Sequence, residues 1–404
     1  MANYNMSKKT RLSLLAFLLF GNFFVLPHTL RSVIFGENIA YFNYLWIITL
    51  ILILIGYFKE FFLSNNLKNI SLKMIMLMLL FSSFFLFGLY VSSFDMLKRF
   101  VSMCLPSILL FYSFKSDDDF KFFFLKCFNY IRIATLIIIF FGIWDLINNR
   151  SASFMFVNFY NQYTSLINQF NMNRLISYYG HPLFTSEILL IFVAFGEIKN
   201  YMFKTKYGVI PNYILAILGL SLTGSKAAIV CLLLLMVLLN FNKFKKSMLL
   251  ILAILAGYIL GIFDLIISRF RRDIGIGNLT SNRNSSLIEL YNSGYINFSF
   301  FRGTQSFVPN DPFFLAALEY PPLQLAFTHG IFYTIVLYSI IFIYPTIKIL
   351  LKSKKKFFFI SIFLILSIFI NTFNGISNGR DNYMIYISVL FIILNASKTK
   401  INEV

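Results

Sequence analysis

The sequence predicts an all-α, polytopic membrane protein: one membrane domain over residues 1–404, about twelve helical spans, and large loops at 148–182 and 268–327 on one face. Three observations predict it. Charged residues make up 13% of the chain, against roughly 25% in a soluble domain, and 58% is hydrophobic. Many windows exceed the roughly 18 apolar residues that mark a spanning helix. Those runs are continuous rather than alternating, which excludes a membrane β-barrel.

The spans fall near 12–27, 40–58, 72–91, 97–114, 127–147, 183–198, 209–223, 225–241, 247–267, 328–350, 357–373 and 382–396. The first follows Lys8, Lys9 and Arg11 and lacks a small-residue cleavage site before polar sequence, so it reads as a retained anchor. Asp117-Asp118-Asp119, between the fourth and fifth, reads as a solvated loop beside Lys115 and Lys121. Gly180 and Pro182 bracket a turn into the sixth. Thr223-Gly224-Ser225-Lys226 makes a short hairpin between the seventh and eighth. Phe313 to Phe327, half apolar, reads as an interfacial helix ahead of the tenth. Cys104, Cys127 and Cys231 all lie in apolar runs and read as small buried side chains. His28, His181 and His329 share no metal-ligand spacing.

Lysine sets the orientation. With the N-terminus inside, alternate loops hold Lys59/Lys68/Lys73, Lys115/Lys121/Lys126, Lys199/Lys204/Lys206, Lys243/Lys245/Lys246, Lys348 through Lys356, and Lys398/Lys400. Every group falls on one side, which places both termini in the cytoplasm. The opposite side is basic through arginine instead: Arg31, Arg99, Arg150, Arg174, Arg269, Arg271, Arg272, Arg283, Arg302 and Arg380, with only Lys98 and Lys226 beside them. Codon bias in an AT-rich genome would favour lysine on both faces, so it does not account for this split. A guanidinium binds phosphate oxygens through a planar fork and keeps its charge when partly desolvated, whereas an ammonium is a hydrated point charge. The arginine face is therefore read as the seat of a phosphate-bearing ligand.

Four stretches hold candidate site residues. Arg174-Leu175-Ile176-Ser177-Tyr178-Tyr179-Gly180-His181-Pro182 sets an arginine and a histidine at a helix entry, where free backbone N–H groups favour anions. The hairpin sets hydroxyls and Lys226 at the mouth of the bundle. Asn282-Arg283-Asn284-Ser285 heads a short amphipathic helix, followed by Phe301-Arg302-Gly303. Glu319-Tyr320-Pro321-Pro322 offers a carboxylate where water is scarce; desolvation there raises a carboxyl pKa and suits it to take a proton near neutral pH.

In order, R-x-S-x-x-x-H-P entering a span, T-G-S-basic between spans, N-R-x-S on a large loop and E-x-x-x-L before a final hairpin resemble the bacterial O-antigen polymerase/ligase superfamily. The resemblance covers about Arg174 to Leu337. It implies metal-independent glycosyl transfer, with no cofactor, from undecaprenyl-pyrophosphate-linked oligosaccharide on the outer face of the bacterial cytoplasmic membrane. In that family the arginines of the two large loops are thought to hold the pyrophosphate, and Arg174 and Arg283 stand at the matching positions. Lys226 stands where the family has arginine. The ligase branch carries histidine where this chain has Glu319 or Tyr320, which favours a repeat-unit polymerase for O-antigen, capsule or exopolysaccharide.

The expected site is thus Arg174 and Arg283 on the pyrophosphate, Lys226 and Arg302 in support, and Glu319 as base with His181 second. The expected partners are the lipid-linked oligosaccharide, membrane lipid, and a flippase and chain-length regulator of the same pathway; no nucleic acid is expected. Alternatives are a ligase that transfers to lipid A core and a flippase for the same lipid-linked sugar. A transporter should show related halves and charges at mid-membrane, neither of which the sequence displays.

Overall fold

A computed structural model describes residues 2–35, 72–91, 97, 100–101, 104–149, 151, 174–204, 209–240, 255, 257–259, 261, 263–275, 283–292, 298–303, 320–373, 375–376 and 381–399. Among them every regular element is helical. Helix α1 (Ala2–Ala16) runs on through a π-helical stretch, Phe17–Val25, into α2 (His28–Phe35). The rest are α3 (Leu72–Tyr90), a 3-10 segment Leu105–Phe111, α4 (Asp117–Ile147), α5 (Pro182–Phe203), α6 (Ile210–Thr223), α7 (Lys226–Asn240), α8 (Asp264–Gly275), α9 (Arg283–Asn292), α10 (Pro321–His329), α11 (Ile331–Lys352), α12 (Lys356–Ile370) and α13 (Asp381–Ala396).

Three helices, α3, α4 and α11, are long and apolar enough to cross a membrane, and α6, α7, α12 and α13 are shorter apolar helices. At a rise of about 1.5 Å per residue, α3 alone is roughly 28 Å long, close to a hydrocarbon core of about 30 Å. The rim helices leave large apolar side chains uncovered, among them Phe85 and Phe140. The two central helices do not. Every residue of α13, and α5 from Thr185 to Ile198, is buried, as expected of helices surrounded by others. Helix α5 packs against α4, α6, α7, α12 and α13, so its polar side chains lie inside the bundle.

The structure departs from the sequence reading in two described places. The acidic run is the first turn of α4 rather than a loop. Ser116 caps it by accepting from the Asp119 N–H (3.4 Å), and three carboxylates at a helix N-terminus complement the dipole. Asp119 also pairs with Lys8 at 2.5 Å. In the span expected at 97–114, the described residues include a 3-10 segment, Leu105–Phe111, with Pro106 in its first turn; proline has no N–H to give to an α-helical bond. The span expected at 40–58, most of that at 247–267, Arg150 and most of the 148–182 loop lie outside the described residues. Of the stretch 313–327, expected to be an interfacial helix, the described residues from Pro321 are helical, in α10 (Pro321–His329). The three cysteines are free and buried.

Two glycines let the loop before α5 reach its seat. A Cβ on Gly142 of α4 would stand 2.7 Å from Leu175 Cδ1, so glycine makes room for the leucine next to Arg174. Gly224 has φ +61°, the left-handed conformation that ends α6 and turns the chain into α7.

Candidate functional site

Backbone and hydroxyl bonds build the corner first. The Leu175 N–H donates to Leu222 O (2.7 Å), pinning the loop to the end of α6. Ser177, itself left-handed at φ +53°, shares a 2.8 Å hydrogen bond with the Thr185 hydroxyl, and Thr185 donates to Ile176 O at 2.7 Å. The Ser186 and Thr223 hydroxyls lie 2.9 Å apart, tying α5 to the same hairpin. Ser225 accepts from the Ala228 N–H at 3.4 Å and starts α7. The hairpin that the sequence singled out is therefore held from three sides.

Two guanidinium groups close on it. Arg174, only 7% exposed, donates from Nε to Thr223 O at 2.8 Å. Arg269, on α8, donates from Nη1 to the next carbonyl, Gly224 O. Lys226 begins α7 one residue past Ser225, with its Nζ 5.7 Å from the Phe270 ring of α8. Three cations from three segments thus converge on Thr223-Gly224-Ser225. Among the described residues Arg174 has no carboxylate partner, and its only hydrogen bond is that to Thr223 O. Burial, and then the charge of Arg269, lower the Arg174 pKa to about 9, so it stays a cation at neutral pH. An anion is the species that would relieve both the desolvation and the repulsion.

His181 caps α5: its Nδ1 accepts the Leu183 N–H at 3.2 Å. Desolvation, and then the Arg174 charge, lower its pKa to about 3, so the ring is neutral. With Nδ1 accepting, the single ring proton sits on Nε2, and His181 offers an N–H rather than a lone pair. That suits it to donate to a phosphate oxygen better than to abstract a proton.

The other expected site residues are distributed differently. Arg283 is the first residue of α9, at the head of a short helix as expected. Its neighbour Asn284 accepts from the Tyr320 hydroxyl, which brings the chain beside Arg283 to the chain beside Glu319. Glu319 itself lies outside the described residues. Arg302 is exposed on a segment zipped to α11 by Ile331 N–H to Ser299 O (3.1 Å) and Phe332 N–H to Phe300 O (3.0 Å). Among the described residues no bond links Arg302 to the corner.

Arg31 corrects the ligand argument at one position. Its Nη2 makes a bidentate pair with Asp381 (2.7 and 2.8 Å) and its Nη1 donates to Leu26 O at 2.8 Å. Arg31 is accounted for by this clasp and needs no phosphate. Two residues went unselected in the sequence. Arg269 follows Leu265 by one helical turn, and its place at the corner shows only in the tertiary packing, where Leu265 Cδ2 is 2.9 Å from where a Gly224 Cβ would stand. Glu187 on α5 is 4% exposed, and its Oε2 has no hydrogen bond among the described residues; a carboxylate buried among apolar helices has no local sequence signature.

Fold and site together define a helical protein with membrane-length helices and a cationic corner cut into a tightly packed bundle. Compared with known proteins, the chain matches no family model, no curated protein and no solved structure.

Proposed function

We propose that this protein is a polymerase that joins lipid-pyrophosphate-linked oligosaccharide repeat units, with the Arg174–Arg269–Lys226 corner as the pyrophosphate seat. One observation carries the reading: a nearly buried arginine with no carboxylate partner among the described residues, beside a second arginine, both donating to backbone carbonyls of the same hairpin. The order of motifs from Arg174 to Leu337 supplies the sugar chemistry.

In this mechanism an acceptor hydroxyl attacks the anomeric carbon of the donor sugar. The new glycosidic C–O bond forms as the bond to the lipid pyrophosphate breaks. The leaving diphosphate takes the electron pair, and preplaced guanidinium groups stabilise its growing charge. His181 donates its Nε2–H to the same group. The hydroxyl proton passes to a carboxylate, for which Glu319 is assigned; Arg283 serves the same diphosphate from α9. The proposal includes about twelve spans, cytoplasmic termini, and the corner on the outer face of a bacterial cytoplasmic membrane.

The test is incubation of the purified protein with one defined lipid-pyrophosphate oligosaccharide and no nucleotide sugar. A ladder of lengthened products is expected. A substrate that stays one repeat long with active membrane-embedded protein would refute polymerase activity. Cysteine labelling at position 174 from outside intact cells tests the placement of the corner.

A further inference from the structure

A second cationic cluster lies at the other end of the bundle. Helix α13 spans the distance between the two ends. Its first residue, Asp381, joins the Arg31 clasp, while Tyr179, five residues from Arg174, donates to Phe24 O in the π-helical stretch packed on α13. Two residues beyond the far end of α13 is Lys398, roughly 25 Å away at about 1.5 Å per residue.

Lys398 is held in place: its Nζ donates to Ser113 Oγ at 2.6 Å, and the same stretch is fixed to α13 by Phe114 N–H to Asn395 Oδ1 (3.0 Å). The last turns of α11, bearing Lys348 and Lys352, pack on α13. Helix α3 brings a fourth cation. It runs antiparallel to α11, since Phe87 near its end meets Tyr333 near the start of α11 (5.1 Å between rings), so Lys73 at its start lies level with Lys348. Burial comes first, and then the charges of Lys348, Lys352 and Lys73, in lowering the Lys398 pKa to about 8. Four ammonium groups from three separate stretches of chain thus repel one another around a part-buried member. The groups that face Lys398 from α11 and α3 are these lysines; the 112–114 stretch offers it the Ser113 hydroxyl.

We infer that Lys73, Lys348, Lys352 and Lys398 form a binding site for the phosphate headgroup of an anionic phospholipid. Lysines at the ends of apolar helices are placed at headgroup level. The neighbouring surface is suited to acyl chains: Leu351, next to Lys352 in the last turn of α11, is 72% exposed. A soluble phosphate would use the charges and leave that apolar surface wet. The site is independent of the pyrophosphate corner and of the reaction assigned to it.

The test is native mass spectrometry of the full chain released from nanodiscs of equal phosphatidylglycerol and phosphatidylcholine. The wild type should retain phosphatidylglycerol in roughly tenfold excess. Joint replacement Lys73→Gln, Lys348→Gln, Lys352→Gln and Lys398→Gln should bring the ratio near one, and the matching Arg variants should keep it. Replacement of Lys9, Lys121, Lys126 and Lys204 by Gln, an equal loss of charge, should leave the ratio unchanged. The inference is overturned if the first set keeps the excess, if both Gln sets lose it alike, or if millimolar inorganic phosphate strips the lipid from the wild type. A Gln set that runs as an aggregate is replaced by Lys398→Gln alone, for which an unaltered ratio counts against the site.

Discussion

Arg31 and Arg174 are buried to the same depth, 6% and 7% exposed, yet their surroundings are opposite. Arg31 meets both oxygens of Asp381 and a backbone carbonyl, so its charge is answered within the fold. Arg174 meets one carbonyl and a second arginine. Burying an ion is costly whatever its role, and only the pairing differs. The first arrangement pairs its charge within the fold and clasps α2 to α13 across 350 residues of sequence. The second leaves the Arg174 charge without a carboxylate among the described residues. Two arginines at equal depth therefore differ in their partners, and partners separate them where burial does not.

The largest expected effect tests the open half of that contrast. Arg174→Ala, assayed by product length on purified protein, should reduce polymerisation at least a hundredfold, about what removal of one charge-stabilising donor costs an active site. Arg174→Lys should recover part of it, since the charge returns without the fork. Arg269→Ala should match Arg174→Ala. Full-length product from the Arg174→Ala protein would make Arg174 a second Arg31, a structural cation and nothing more.

The closed half predicts the reverse pattern. Arg31→Ala leaves the buried Asp381 with the His28 N–H (2.8 Å) but no cation, a loss of up to about 3–5 kcal/mol. Thermal unfolding should show a marked fall in Tm, while the activity per folded molecule stays near wild type. A variant that keeps its Tm but loses turnover would place Arg31 with the ligand after all.

Ligand linkage separates the two arginines without any enzymatic assay. Inorganic pyrophosphate at a hundred times its Kd should stabilise the wild type by about 2.7 kcal/mol. Arg31→Ala should show the same increment above its own lower baseline, and Arg174→Ala should show none. Equal increments in all three proteins would move the anion site away from the corner.

Several of the described helices were legible in the sequence because their ends are marked by local chemistry. Pro182 in the first turn of α5, Gly224 between α6 and α7, and Lys356 opening α12 put the boundaries within a few residues of the apolar runs. Helix α4 began early, at Asp117 instead of about residue 127, because a Ser116 cap and three carboxylates extend a helix that hydropathy alone truncates. Arg174, Lys226 and His181 were legible as neighbours, since each sits at a turn into a helix. Arg269 needed the packing of Leu265 on Gly224, and the Asp381 partner of Arg31 needed the tertiary fold. Burial of Arg174 was the least legible feature, for the sequence set it on an open loop, and it is burial that makes the residue informative.

Backbone geometry at the corner gives a smaller effect. Gly224→Ala places a Cβ 2.9 Å from Leu265 Cδ2 at φ +61° and should cost about 1–2 kcal/mol, with α8 and Arg269 displaced together. The expected signature is a modest drop in Tm joined to a larger loss of pyrophosphate affinity. Loss of stability with unchanged affinity would mean that Arg269 reaches the ligand independently of the hairpin.

The smallest effect is also the most specific to the corner. The folded-state pKa of His181 lies near 3, below the ordinary 6.5, so the unfolded chain binds the extra proton first. Its contribution to stability is full above pH 6.5 and is lost progressively as pH falls toward 3. A drop from pH 6.5 to 6 costs under about 1 kcal/mol, as one pKa unit corresponds to about 1.4 kcal/mol. Because the Arg174 charge is part of the cause, Arg174→Ala should soften this slope, whereas Arg31→Ala should leave it alone. Bound pyrophosphate, by adding negative charge beside the ring, should raise the His181 pKa and soften the slope in the same direction. Melting curves from pH 4 to 7, with and without pyrophosphate, would read all three; a slope indifferent to both Arg174 and the anion would separate His181 from the site.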